Sequence, residues 1–161
     1  MLLYIIGFSG AGKSTLARKL SVSWKIPAWD TDDLFCAKQG QSISDYVTKN
    51  GWLSFREKES EILRGTGEYD AGSLSSVYSY SGLIACGGGV VEMTENRDFL
   101  RSKSVLWLAP AWDVLLHRIH QSPADFCKDK SDAELWASYR YRLPLYRDCL
   151  RIKFPDKSTC G

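Results

Sequence analysis

Gly7 to Ser14 reads GFSGAGKS, a match to G-x-x-x-x-G-K-[ST] that follows directly on the apolar run Leu2 to Ile6. Such a match is specific when a strand precedes it and a helix follows. Lys13 to about Trp24 supplies the helix, since Leu16, Leu20 and Trp24 recur at i, i+4 and i+8 on one face. In a loop of this kind the glycines let backbone N–H groups turn toward phosphate oxygens, and the helix start adds its positive end. Gly10, Ala11, Gly12, Lys13, Ser14 and Thr15 are therefore predicted to wrap the phosphates of a nucleoside triphosphate. Lys13 would reach the β- and γ-phosphates, and Ser14 would ligate Mg²⁺.

A strand, a loop and a helix in that order open a right-handed crossover unit, and the rest of the chain continues the alternation. Pro27 to Trp29, Leu83 to Cys86, Val105 to Ala109 and Arg151 to Phe154 read as further short strands. Helices are expected over 33–38, 42–50, 52–64, 94–103 and 112–120, the last with Val114, Leu115 and Ile119 as core contacts. Another begins at Asp132, with Leu135, Tyr139, Leu143, Tyr146 and Leu150 at helical spacing. Pro144 removes a backbone donor there and is expected to kink or divide it. Gly65 to Gly82, rich in Gly, Ser and Tyr, has no periodicity and reads as a loop. Strands alternating with helices imply an α/β fold, a parallel sheet covered by helices on both faces. At 161 residues one domain spanning 1–161 is expected.

Charge narrows the partners. The 21 basic and 19 acidic residues leave a formal charge of +2, so no global field draws the chain to nucleic acid or to a membrane surface. No stretch approaches the roughly 20 apolar residues a spanning helix needs. Met1 to Ile6 lacks a basic flank and reads as a strand, not a targeting segment. Cys36, Cys86, Cys127, Cys149 and Cys160 are widely spaced with no C-x-x-C, which suits free thiols in a cytoplasmic protein.

Asp30 and Asp32 stand at the C-terminal end of the second strand, the edge where open parallel sheets place their ligands. Alternate residues of an extended segment face one side, so both carboxylates can point into a cleft, whereas Asp33 reads as a helix cap. Gly87-Gly88-Gly89 after a buried strand marks close approach of a ligand or another chain segment. Arg56 has Glu59 at i+3, a spacing that equally suits a surface ion pair. Among Arg140, Arg142 and Arg147, Arg142 borders the apolar stripe and is the one expected to turn inward. His117 and His120, at i and i+3, lack a third ligand nearby and read as helix surface.

Taken in order, GFSGAGKST, DTD at 30–32, FREKE at 55–59, GGG at 87–89 and RLPLYR at 142–147 resemble shikimate kinase, a small family among the nucleoside monophosphate kinase-like P-loop proteins. The resemblance implies a five-stranded parallel sheet, an acceptor-binding helical segment at about 33–64 and a small lid at about 121–131. It implies ATP-dependent phosphorylation of the 3-hydroxyl of shikimate, in aromatic amino acid biosynthesis, by a cytoplasmic enzyme read as a monomer. Asp30 would lie with Ser14 near Mg²⁺. Asp32 would contact the shikimate hydroxyls and serve with Lys13 in catalysis. Arg56 and Arg142 would hold the shikimate carboxylate, and Gly87, Gly88 and Gly89 would line its pocket. Arg118 and Pro155 would border the adenine.

The chain departs from that pattern in the lid, where His120 to Cys127 contains no arginine to present to the phosphates; Lys128 and Lys130 are the available substitutes. The loop at 65–82 is longer than the family pattern, with no role assigned to Tyr69, Tyr78 or Tyr80. Two other readings stay open at this point. One is another small-molecule kinase of the same fold, acting on gluconate or a nucleoside monophosphate. The other is a nucleotide-binding regulatory module with weak or absent catalysis.

Overall fold

The structure is a computed structural model that describes residues 1–69 and 80–150. The chain runs β1 (Leu2–Ile6), α1 (Lys13–Trp24), β2 (Ala28–Asp30), α2 (Thr31–Gln39), α3 (Ile43–Gly65), β3 (Gly82–Ala85), α4 (Thr94–Arg101), β4 (Ser104–Trp107), α5 (Trp112–Gln121) and α6 (Asp132–Asp148). Short 3₁₀ turns occupy Thr66–Tyr69 and Asp125–Cys127. The continuous apolar run of β1 is explained by burial on both faces. Leu2, Tyr4 and Ile6 join the larger core, while Leu3 and Ile5 join a second one beneath α1.

All strand pairs are parallel, in the order β2-β3-β1-β4, with Leu3 opposite Leu83 on one side and Ser104 on the other. Among the described residues the sheet has four strands; the fifth predicted strand, 151–154, lies outside them. Because the strands are parallel, the segments that follow β1, β2 and β3 leave at one sheet edge, the carboxyl end where such folds bind ligands.

Several boundaries differ from expectation for identifiable reasons. α2 begins at Thr31, directly on the end of β2, because Asp30 caps it by accepting from the Asp32 N–H at 2.9 Å. The cap is thus Asp30, and Asp33 is exposed in the first turn. Gly51, with φ 80 and ψ 165, breaks α3 where two helices were expected. α6 runs as one helix through Pro144, contrary to a division there. Arg140 and Pro144 are exposed, so water can satisfy the carbonyl that the proline leaves without a donor. Leu115 and Ile119 are buried as expected; Val114 is exposed, and Leu116 takes its place against the core.

A third cluster, centred on Phe35 with Tyr46, Phe55 and Ile62, locks α2 onto both halves of α3. Tyr69 packs on Trp29 and Tyr80 stacks on Trp24, which gives two of the unassigned tyrosines a packing role; Tyr78 lies outside the described residues. Cys36, Cys86, Cys127 and Cys149 are free thiols, and Cys160 lies outside the description. Among the described residues no helix is long and apolar enough to cross a membrane.

Candidate active site

The loop from Gly7 to Gly12 hands the chain from β1 to α1, and its side chains collect contacts from neighbouring elements. Lys13 donates from Nζ to the Phe8 carbonyl at 3.0 Å, folding back over the loop. Burial lowers the pKa of that ammonium, while the carboxylates of Asp32 and Asp30 push it back up. Ser14 donates from Oγ to Asp30 Oδ2, bringing together two residues from successive elements of the chain. Arg118, on α5, lies across the loop with Nη1 3.2 Å from the Gly10 carbonyl. Ala11 is buried and Thr15 exposed; Pro155 lies outside the described residues.

Ser14 and Asp30 fit a magnesium ion on their own chemistry. They offer a hydroxyl and a carboxylate oxygen side by side, and Mg²⁺ takes few protein oxygens, completing its shell with phosphate and water. The other Asp30 oxygen is already engaged by the Asp32 N–H, which fixes the carboxylate's orientation.

Next to this loop is a cavity of about 290 Å³. Ser9 of the phosphate loop lines it together with Asp32, Arg56, Glu59 and Arg142, and Gly87, Gly88 and Gly89 form part of its wall. Arg56, on α3, donates from Nη1 to Glu59 Oε2 at 2.8 Å and from Nε to Glu92 Oε2 at 3.0 Å. Arg142, on α6, donates from Nε to Glu92 Oε1 at 2.8 Å, and its Nη2 lies 2.6 Å from the same oxygen, close enough for charge attraction but misaligned for a hydrogen bond. Tyr146 donates its hydroxyl to the Gly88 carbonyl. The Arg56–Glu59 pair is therefore no surface contact: their side chains are 9% and 3% exposed. A Cβ on Gly89 would stand 2.0 Å from Arg56 Nη2, so the missing side chain is what lets the guanidinium lie there.

Two acids in this cavity hold protons more tightly than usual. Burial raises the pKa of Asp32 to about 7, the charges of Asp30 and Glu59 add to the rise, and Lys13 and Arg56 oppose it. Burial likewise raises Glu59, against the pull of Arg56. Glu59 lines the cavity, and its Oε1 is buried beside Gly87 without a hydrogen-bond partner.

The loop between α5 and α6 closes the cavity with Pro123, Ala124, Asp125 and Phe126. Phe126 meets the Trp52 ring edge-on and lies 4.1 Å from the Arg142 guanidinium carbon, a cation–π contact. The two candidate lid cations are engaged locally: Lys128 pairs with Asp125, and Lys130 sits over the Phe126 ring. His117 bonds Gln121 and His120 bonds Asp132, and no cluster of metal-ligating side chains occurs among the described residues.

Asp32, Arg56, Arg142 and the glycine triplet thus gather around one cavity, and Lys13, Ser14, Asp30 and Arg118 gather on the adjoining loop. Glu92, Trp52 and Phe126 had no signal in the sequence, and Glu59 was hidden inside an ordinary-looking i, i+3 pair.

A family model described as shikimate kinase matches residues 9–159. A shikimate kinase of Enterococcus faecalis is 30% identical over 93% of this chain and 85% of its own length. One from Bacillus cytotoxicus is 32% identical over 97% and 90%. Among solved structures, shikimate kinase from Aquifex aeolicus superposes with a TM-score of 0.72 at 27% identity, over 97% of this chain and 87% of that one. Shikimate kinase from Acinetobacter baumannii in complex with shikimate superposes with a TM-score of 0.77 at 24% identity, over 98% and 85%, and shows the same fold. With the phosphate loop, the glycine triplet and both inward arginines in family order along almost its whole length, this chain belongs to the shikimate kinase family.

Proposed function

We propose that this enzyme transfers the γ-phosphoryl group of ATP to the 3-hydroxyl of shikimate, giving shikimate 3-phosphate and ADP. The observation that carries the reading is the convergence of Arg56 and Arg142 on a cavity that also holds Asp32 and borders the phosphate loop at Ser9. Guanidinium groups match a carboxylate by paired, charge-assisted hydrogen bonds. The carboxylates of Asp32 and Glu59 on the cavity wall are acceptors suited to the hydroxyls of a polyol acid.

In the reaction the 3-hydroxyl oxygen bonds to the γ-phosphorus, the bond from that phosphorus to the β,γ-bridging oxygen breaks, and ADP leaves. The hydroxyl proton passes to Asp32, whose pKa of about 7 suits an acceptor working near neutral pH. Lys13 meets the charge on the transferring group, and Arg118 lies where it can flank the nucleotide. Ser14 and Asp30 would hold Mg²⁺, which supplies neutralisation of phosphate charge. The helical segment at 33–64 forms the acceptor side, and 121–131 forms the lid. Pro155 beside the adenine, monomeric state and a cytoplasmic location remain part of this reading, the last supported by the free thiols.

ADP release measured with shikimate, gluconate and a nucleoside monophosphate tests the reading. Shikimate alone should stimulate turnover by orders of magnitude. Stimulation by another acceptor, or none by shikimate together with no shikimate binding by calorimetry, would overturn it.

A further inference from the structure

Arg56 and Arg142 come from different helices, α3 and α6, and nothing in either helix sets the distance between their guanidinium groups. Glu92 does. One oxygen of its carboxylate takes the Nε–H of Arg56 at 3.0 Å, and the other takes the Nε–H of Arg142 at 2.8 Å. The bridge spans 36 residues of sequence to one arginine and 50 to the other. Glu92 is itself held at the backbone: its N–H donates to the Gly89 carbonyl at 2.9 Å, and its carbonyl accepts from Arg97 at 3.0 Å. It is not among the residues lining the cavity, whereas both arginines are.

Two guanidinium groups bridged by one carboxylate at their Nε sides are spaced as one carboxylate spans them. Arg56 Nη1 already donates to Glu59 and Arg142 Nη1 to the Gly88 carbonyl, which leaves the Nη2 groups for a ligand, that of Arg142 buried without an aligned partner. Glu59 already gives Arg56 a buried counter-charge, so a second carboxylate on Arg56 is more than its neutralisation requires. We infer that Glu92 is a positioning residue for the acceptor's carboxylate, acting through Arg56 and Arg142 as a fixed internal template for it. The inference rests on the acceptor reading given above.

Steady-state kinetics of Glu92→Gln with shikimate and with its neutral carboxamide test it. The glutamine keeps the size but loses the charge that engages both arginines. The shikimate KM should rise about tenfold, the ATP KM should stay within about twofold, and kcat/KM for the carboxamide should change less than about threefold. Glu92→Asp retains the charge one methylene short and should recover part of the shikimate KM. An equal loss for both acceptors would make Glu92 merely structural and overturn the inference. A lower or unchanged shikimate KM would overturn it too, the former by showing that Glu92 competes with the substrate. If Glu92→Gln fails to fold, Glu92→Asp is read by the same comparison. Absence of any shikimate response in the wild-type enzyme would instead sink the acceptor reading, a result visible before either variant is made.

Discussion

The phosphate loop and the acceptor cavity adjoin at Ser9 yet are built in opposite ways. The loop is local in sequence: nine consecutive residues, Gly7 to Thr15, with Asp30 and Arg118 joined to it by hydrogen bonds and Phe8 packed against Phe126 and Tyr139. The cavity is assembled from side chains on α2, α3, α6, the glycine turn and the lid loop, joined by buried charge pairs. Backbone N–H groups recognise a phosphate of any nucleotide, so such a loop is reusable and keeps one motif. Buried ion pairs cost desolvation and rarely stabilise a fold, so on the proposed reading the two arginines and two glutamates serve recognition of the acceptor. On that reading the donor half is generic and the acceptor half carries specificity.

Variants on each side should divide accordingly. The largest effect belongs to Asp32→Asn, which cannot take the hydroxyl proton; kcat should fall by about 10²- to 10⁴-fold while ATP binding, read by calorimetry, persists. The wild-type kcat/KM for shikimate should rise with pH to a plateau with an inflection near the Asp32 value of about 7.

The same substitution should stabilise the fold. Asp32 moves from an ordinary 3.8 to about 7 on folding, so the folded chain binds that proton more tightly, and ionisation costs stability as pH rises between those values. Against wild type at pH 8, Asp32→Asn should gain up to about 4 kcal/mol in denaturant unfolding, with the gain vanishing near pH 4. A loss of stability at pH 8 would contradict the desolvated carboxylate.

Smaller effects sharpen the contrast. Gly89→Ala places a methyl against the Arg56 guanidinium, and displacement of that group should raise the shikimate KM about tenfold with little change for ATP. Arg118→Ala should do the reverse, raising the ATP KM about threefold to tenfold and leaving shikimate alone. Its contacts to the loop are long and its side chain is exposed, which makes this the mildest of the set.

The same contrast explains what could be read from the chain. The loop, β1 and α1 followed from a motif and a periodicity that are local in sequence, and their observed bounds match the expected ones. Asp32 reaches the cavity wall from the first turn of α2 and not by strand alternation, whereas the inward turn of Arg142 followed from its place beside an apolar stripe. Glu92 could not, because its meaning lies in partners 36 and 50 residues away. Glu59 could not, because i, i+3 spacing is the same for a buried clamp and a solvated pair, and only tertiary burial separates them. Trp52 on α3 and Phe126 in the α5–α6 loop are far apart in sequence and meet only in the tertiary fold. The continuity of α6 through Pro144 depended on solvent access that periodicity does not report.

The division between a generic donor half and a specific acceptor half is tested most directly by Arg56→Ala, with KM measured separately for shikimate and ATP. The account predicts a rise of about 10- to 100-fold for shikimate and a change within about twofold for ATP. An equal loss for both substrates, in a variant that unfolds as cooperatively as wild type, would contradict it.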